Sequence, residues 1–594
     1  MHEVQRFVAP ILKGSEFLFF ETSSDISSVS SASKNANSTI SLSARESLSF
    51  ASYFNAIFPR HLIQIYGSGK YYFECLIEGK GNLRIEFRFR NDHRLTFFSK
   101  DINNSDGQVL IKVELEINSE SPEIIYPILM AGGNLKFSDG KLKKASPALR
   151  SGKLAVCICT YKREEFLFNN LKAWLADSGV ADRIAVFISD NAGTILPSQM
   201  PAGLENHLFL NPNYGGSGGF ARAFLEAKDI GNYDYFVFCD DDAVIHPESF
   251  FRLISILDSS EKPEKLLLSG AMLDLKRPKE VVEAGAKFHI NDSRITSYYA
   301  GIDLSRPKNL ESYAIADIGN VKNYSGFFFT GFGAKRVESA ELYPPFFIRG
   351  DDIAFGLTRS LSGWKVLSYP GIAVWHEPFY AKVNPWVEYY NYRNYGILHF
   401  ALNKGGPWAL IKVYTVRFFT YLFTFQYETL KAAIDGVQDI LAGPALLNGL
   451  DMEAKHLEII RKYSPETIMK GGPLLKRNRA MQIIFNSVLL PFSLISINLI
   501  SFPFFSSRMN RSRGVASAVF NSSGSSLLFD FDERRPEVYV RTRSAGKTFR
   551  LALSALRIIF EIIIHHRRLS LLWSREFSGL SSESFWRQKL APDR

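Results

Sequence analysis

Between residues 49 and 150 apolar and polar positions alternate in short runs. Leu83, Ile85, Phe87 and Phe89 fall on one side of such a run and Arg84, Glu86, Arg88 and Arg90 on the other, which predicts a half-buried antiparallel strand. Similar runs cover 71–77, 95–98, 109–117 and 123–130, with turn signals at Gly79-Lys80-Gly81 and Gly132-Gly133-Asn134. The pattern predicts a β-sandwich or jelly roll over residues 1–150. Such modules often hold sugars, but a purely structural packing module reads the same, because fold alone does not carry function. Residues 22–49 are crowded with serine and read as a mobile surface loop.

At Lys153 the texture changes to apolar strands alternating with helical patterns. Leu154-Ala-Val-Cys-Ile-Cys159, Ile184-Ala-Val-Phe-Ile188 and Tyr235-Phe-Val-Phe-Cys239 mark a parallel sheet with crossover helices over 151–384. From 385 to 594 apolar stretches punctuated by glycine and proline predict an α-helical region. Residues 483–505 are uncharged over a length that would span a bilayer. They also carry Asn486, Pro491, Asn498 and Pro503 between basic flanks, which favours a buried or interfacial helical hairpin. Residues 550–573 set Leu551, Leu553, Leu556, Ile558, Ile559, Ile562 and Ile563 against Arg557, His565, His566, Arg567 and Arg568. That is the pattern of a basic amphipathic helix, which lies on an anionic membrane surface or packs on a core.

The chain has 594 residues, 46% hydrophobic and 22% charged, enough for several folding units and too apolar for disorder. A net charge of +10 over this length, with no dense basic groove, is too mild to imply a nucleic-acid binder. Anionic small molecules and anionic lipid stay open. Cys75, Cys157, Cys159 and Cys239 lie in strand-like runs without metal-ligand spacing and read as buried reduced thiols. No secretory signal pattern opens the sequence, so a cytoplasmic location is expected.

The sharpest chemical signal is Asp240-Asp241-Asp242 at the end of an apolar strand. Three consecutive carboxylates repel one another, and a divalent cation relieves that repulsion while anchoring a diphosphate. Alternate residues point the same way, so Asp240 and Asp242 can share one ion. An isolated acidic turn would read as solvated, but ligands of open α/β sheets gather at strand carboxyl ends, and further polar motifs lie at such positions. They are Thr160-Tyr161-Lys162-Arg163, Asp190-Asn191, which either hold a ligand or cap the following turn, and the glycine-rich loop Asn211-Pro-Asn-Tyr-Gly-Gly-Ser-Gly-Gly-Phe-Ala-Arg222, which opens a helix. The glycine-rich segment matches neither the dinucleotide fingerprint nor the P-loop, which lowers hydride transfer and ATP hydrolysis. Asp351-Asp352 begin another helical pattern and offer either a cap or a general base. His376 closes a further apolar run, and its imidazole suits a Mn²⁺ or Mg²⁺ site shared with Asp240 and Asp242.

In this order the segments resemble inverting glycosyltransferases of the GT-A fold, family 2, from Leu154 to about Glu377. Within that family the chain looks most like the polymerising UDP-galactofuranosyltransferases of cell-wall galactan. The triple aspartate, Asn213 to Arg222, Gly350-Asp351-Asp352, Trp375-His376-Glu377 and Ser52-Tyr53-Phe54-Asn55 carry that likeness. The resemblance implies Asp240, Asp242 and His376 as ligands of Mn²⁺ or Mg²⁺ and Asp352 as the base, with Asp351 holding the acceptor. Arg163, Asp190 and Asn213 would contact the nucleotide, with Thr160, Gly218 and Asp241 beside them. It also implies a UDP-sugar donor, a lipid-linked glycan acceptor in cell-surface polysaccharide synthesis, and a peripheral place at the inner face of the plasma membrane. Self-association stays open. One departure is Ser325-Gly-Phe-Phe-Phe-Thr330, phenylalanines where tryptophans are expected on the acceptor side, so acceptor choice is expected to differ. The competing expectations are a family-2 enzyme for rhamnose or a hexopyranose, and a non-catalytic carbohydrate-binding assembly protein. A sugar-nucleotidyltransferase ranks lower, since no glycine-rich signature followed by lysine lies near the first strand of the α/β region.

Overall fold

The computed structural model describes residues 1–23, 39–316, 319, 322–333, 342–378, 384–463, 467–470, 479–499, 507–510, 515–531 and 537–591. The N-terminal part is one seven-stranded antiparallel sheet. Its strands are β1 (His2–Arg6), β2 (Glu21–Thr22), β3 (Ile40–Leu42), β4 (Ser47–Ser49), β5 (Gly69–Arg88), β6 (Arg94–Ile117) and β7 (Ile124–Lys144). The short runs expected at 71–77 and 83–89 are two halves of β5, and the presumed turns are bends inside continuous strands. Pairing shifts register between Ile77 and Gly79 and between Gly79 and Gly81. A Cβ on Gly79 would come 1.9 Å from the Asn134 carbonyl oxygen, so the two glycine clusters mark a close backbone crossing. A further shift between Ile85 and Glu86 ends the expected alternation. Beyond it Arg88 is buried and ion-paired with Glu311, and Phe87 stacks on the exposed Phe97. Of the expected serine-rich loop, residues 24–38 lie outside the described ones, while the rest contributes β3 and β4.

The central part carries a seven-stranded mixed sheet. Its members are β8 (Leu154–Thr160), β9 (Ile184–Asp190), β10 (Asn206–Leu210), β11 (Tyr235–Asp240), β13 (Leu266–Ser269), β18 (Phe329–Gly333) and β19 (Lys365–Leu367), in the order β10-β9-β8-β11-β18-β13-β19. A smaller sheet joins β12 (Val244–Ile245), β20 (Ala373–His376), β14 (Ala271–Asp274) and β15 (Val281–Glu283), and β16 (Ala286–His289) pairs with β17 (Arg294–Ser297). Successive side chains of a strand face opposite ways. Thus Leu154, Val156 and Ile158 of β8 enter one core, shared with the N-terminal sheet, while Ala155 and Cys157 enter another, under the C-terminal helices. Cys75, Cys157 and Cys239 are buried free thiols, and Cys159 is half-buried.

The C-terminal part is mainly helical but also holds a four-stranded sheet of 467–470, 507–510, 527–531 and 537–542 that the sequence pattern did not announce. Where a hairpin was expected, one helix runs over Arg479–Ile495, and residues 500–506 lie outside the described ones. The helix Ala545–Leu580 corrects the expected single apolar face. Ile558, Ile562, His566, Leu569 and Trp573 are buried, whereas Leu553, Leu556, Phe560 and Ile564 form a second, exposed stripe. Among the described residues no helix is long and apolar enough to cross a membrane.

Candidate active site

Strand register assembles the acidic turn. β11 runs parallel to β8 with Asp240 opposite Cys159, so the next residues, Asp241 and Thr160, meet, and the Thr160 hydroxyl donates to Asp241 at 2.7 Å. β12 follows the turn and pairs antiparallel with β20, Val244 opposite Trp375, which draws the end of β20 back to the aspartates. His376 Nε2 lies 3.0 Å from Asp242 Oδ1 and 3.6 Å from Asp240 Oδ2. One ligand atom from each of the three lies within 4.8 Å of the others. Two carboxylate oxygens and an imidazole nitrogen on this scale are a donor set that fits a divalent cation of the Mg²⁺ or Mn²⁺ class. Asp242 is also paired with the Arg163 guanidinium. Burial, with the charges of Asp242 and Asp240, pushes Asp241 up to about 7 against the Thr160 hydrogen bond.

A second pair of acids comes from the helix Asp351–Leu361. Its cap, Gly350, has φ +92°, and Phe347 and Arg349 are also left-handed, at +71° and +64°. Such backbone persists only where its surroundings over-determine it. On one side the buried Asn394 donates to the carbonyls of Ile348 and Arg349 at 2.8 and 2.6 Å, and the buried Arg393 donates to that of Phe346 at 2.7 Å. On the other the Ser217 amide donates to the Phe347 carbonyl at 3.1 Å. A Cβ on Gly215 would sit 2.2 Å from that same carbonyl oxygen, so the glycine permits the approach. Asp351 accepts a hydrogen bond from the Ser217 hydroxyl at 3.0 Å and is raised to about 6, mainly by burial. Asp352 is held well above the ordinary carboxylate range by burial and by the charge of Asp351, with Arg349 opposing.

Asp240, Asp351 and Asp352 line one cavity of about 600 Å³. The sequence motifs from β11 and from the Asp351 helix therefore converge, and His376 joins them through Asp240. Other expected contacts are placed differently. The Asp190 carboxylate accepts from the amides of Ala192, Gly193 and Ile195 at 2.9–3.0 Å and so shapes its own loop. Asn213 spans Gly215 and Glu453 of the C-terminal part. The glycine-rich loop opens a helix as expected, but only residues 211–214 are loop and the glycines lie in the start of the helix Gly215–Ile230, where the Gly218 amide bonds back to Tyr214. Gly219 packs so tightly on Cys159 that a Cβ would fall 2.1 Å from its sulfur, and Gly216, not Gly218, borders the cavity.

The same cavity shows groups that the motifs did not. Glu283, Tyr324, Arg349, Tyr395 and Arg417 line it, with Phe327 and Phe328 from the phenylalanine run. Glu283 ends β15, is 4% exposed, and is raised to about 7 by burial against one hydrogen bond from Ser297 at 2.5 Å. No local pattern singles it out. An acid ending a three-residue strand reads as solvated until the fold closes over it.

A strand-end acidic turn with a candidate cation site thus lies next to a cavity holding a second carboxylate pair. Residues 151–389 match the sequence model of the family described as glycosyltransferase like family 2. The chain is a glycosyltransferase whose central part is similar to that family. It is 24% identical over 488 residues to galactofuranosyltransferase GlfT2 of Mycobacterium tuberculosis, covering 77% of this chain and 76% of that protein. It is 27% identical over 350 residues to galactofuranosyltransferase GlfT2 of Mycolicibacterium smegmatis, covering 55% and 53%. Among solved structures, a mannosyltransferase from Pyrobaculum calidifontis in complex with GDP-Man and Mn²⁺ aligns with 53% of this chain and 83% of its own. The identity there is 14% and the TM-score 0.29.

Proposed function

We propose that the protein transfers galactofuranose from UDP-galactofuranose to a hydroxyl of a glycan acceptor, in a single displacement that inverts the anomeric carbon. The observation that carries the reading is the convergence of Asp240, Asp351 and Asp352 on one cavity, with Asp242 and His376 beside Asp240. Asp240, Asp242 and His376 would hold Mn²⁺ or Mg²⁺, which when bound supplies positive charge at the diphosphate leaving group. Asp352 accepts the proton of the acceptor hydroxyl as its oxygen bonds to the anomeric carbon and the bond from that carbon to the diphosphate breaks. Burial and the charge of Asp351 make its carboxylate more basic than an ordinary aspartate, the direction a base needs. Asp351, tied to Ser217, orients the acceptor beside it. Arg163, paired with Asp242 and 40% exposed, would be the cation that meets the phosphates. Both named relatives support galactofuranose as the sugar.

Two further parts of the reading concern the surroundings. The exposed stripe Leu553, Leu556, Phe560 and Ile564, with Arg557, Arg567 and Arg568 near it, fits the face of an anionic membrane where a lipid-linked acceptor resides. The N-terminal sheet, bent at Gly79 and Gly81 into two halves, is read as a jelly-roll-like module.

The test is incubation with UDP-galactofuranose, Mn²⁺ and galactosyl acceptors, followed by mass and linkage analysis. Asp352→Asn should cost roughly a thousandfold or more in turnover while UDP affinity stays within a few-fold. Undiminished turnover by this variant would remove the base assignment and the mechanism with it.

A further inference from the structure

A second cleft, of about 980 Å³, lies away from the acidic turn and shares no lining residue with its cavity. It forms where the helix Pro59–Tyr66, the segment that follows β7, and β19 meet. Four lysines line it, Lys144, Lys262, Lys265 and Lys365, against a single carboxylate, Glu261. Among the described residues none of the four is ion-paired. On the same strand Lys141 is paired with Asp139 at 2.8 Å, and Lys143 with Glu74 at 2.7 Å. The Lys265 ammonium donates to the Ser362 carbonyl at 3.4 Å. Lys144 is half-buried beside the Tyr71 ring, and burial holds its ammonium below the ordinary range with no carboxylate to offset it.

Lys262, Lys265 and Lys365 are exposed at the rim, and gathering four like charges along one concave surface costs free energy that a polyanion repays. Lysine binds phosphate as a point charge, without the planar geometry that arginine and carboxylates favour. We propose that this cleft is a binding site for a diphosphate-bearing ligand, separate from the donor site. Its lysines come from both the N-terminal and the central parts, so an occupant ties the two together.

The probe is inorganic pyrophosphate, titrated into the full chain in EDTA by calorimetry and followed by thermal shift. Wild-type protein should bind it and melt higher, and Lys144→Gln/Lys365→Gln should weaken binding roughly tenfold or more, since each lysine supplies a charge-assisted contact. Raising the ionic strength should weaken wild-type binding in the same direction. Transferase activity of the double variant should be unchanged. Orthophosphate should bind more weakly than pyrophosphate. UDP binding that also drops in the double variant would make the occupant a nucleotide, and UDP binding that does not would make it a non-nucleotide diphosphate. Absence of pyrophosphate binding by the wild type, or equal binding by the double variant, would overturn the proposal.

Discussion

Replacing Glu283 by glutamine should stabilise the free protein at pH 8 and change little near pH 5. In the folded chain burial raises this carboxyl from its ordinary 4.5 to about 7, and the Ser297 hydroxyl opposes only part of the effect. A carboxyl raised in this way lends the fold stability that is complete below pH 4.5 and is lost as pH rises to about 7. Above that window the ionised side chain costs the native state about 3 kcal/mol relative to the unfolded chain, about 2.5 kcal/mol of it appearing between pH 5 and 8. Because Glu283 is 4% exposed, solvent screening removes little of this. Glutamine keeps an acceptor for Ser297 and nearly the same volume but carries no charge. For a part of this size about 1 kcal/mol moves the melting midpoint by 2–4 °C, so the gain at pH 8 should be roughly 5 °C or more. Differential scanning fluorimetry of both proteins in EDTA, at intervals from pH 5 to 8, reads it directly. The variant-minus-wild-type difference should be small at pH 5 and grow steadily to pH 8. A difference that is flat, or that falls with pH, would refute the view that this cavity holds an uncompensated carboxylate. The loss expected alongside is transfer activity, since the side chain faces the space beside Asp352.

Asp351→Asn removes the like charge that raises Asp352, so the acid limb of log(kcat/KM), along which activity grows as the pair loses its protons, should move to lower pH. An unmoved limb would show that the pair does not set it. Asp242→Ala should abolish Mn²⁺-dependent UDP binding by calorimetry, and binding equal to wild type would take Asp242 out of the cation site. Gly219→Ala forces a methyl group to 2.1 Å from Cys159 Sγ and should destabilise the central part by about 1–3 kcal/mol, seen as a lower melting midpoint.

β8, β9 and β11 were legible because they are buried on both faces and read as unbroken apolar runs, as in Leu154-Ala-Val-Cys-Ile-Cys159. The sheet expected to be parallel is mixed, since β18 runs antiparallel to both of its neighbours. The N-terminal strands misled at their glycines. Gly79 and Gly81 carry the same local signal for a chain reversal as for a bend inside a 20-residue strand, and only the approach of Asn134 decides between them. The helix Ala545–Leu580 was legible as an amphipathic helix, but the residues of its buried face were not. Its periodicity allowed one apolar face, and the choice of residues for it mixed Ile558 and Ile562, which are buried, with Leu553 and Leu556, which are not.

Within the site, the residues legible in the sequence are those whose chemistry is improbable without a ligand. Asp240, Asp242, Asp351 and Asp352 sit as adjacent or alternate acids at strand and helix ends, where like charges repel, and the structure brings three of them to one cavity. Other candidates also have a local use. Asp190 accepts from three amides of its own loop, and the glycines at 215 and 219 permit close packing on Phe347 and Cys159. Glu283, Arg349 and Arg417 went unseen because their neighbours in sequence say nothing about burial. β15, the strained turn before Asp351 and the helix Trp408–Phe423 meet only when the C-terminal helices close over the sheet. The lock of Asn394 and Arg393 on the carbonyls before Asp351 shows what that closure does. The C-terminal part fixes the backbone from which the proposed base projects, so substitutions far from the acidic turn in sequence should act on catalysis through the geometry of Asp352.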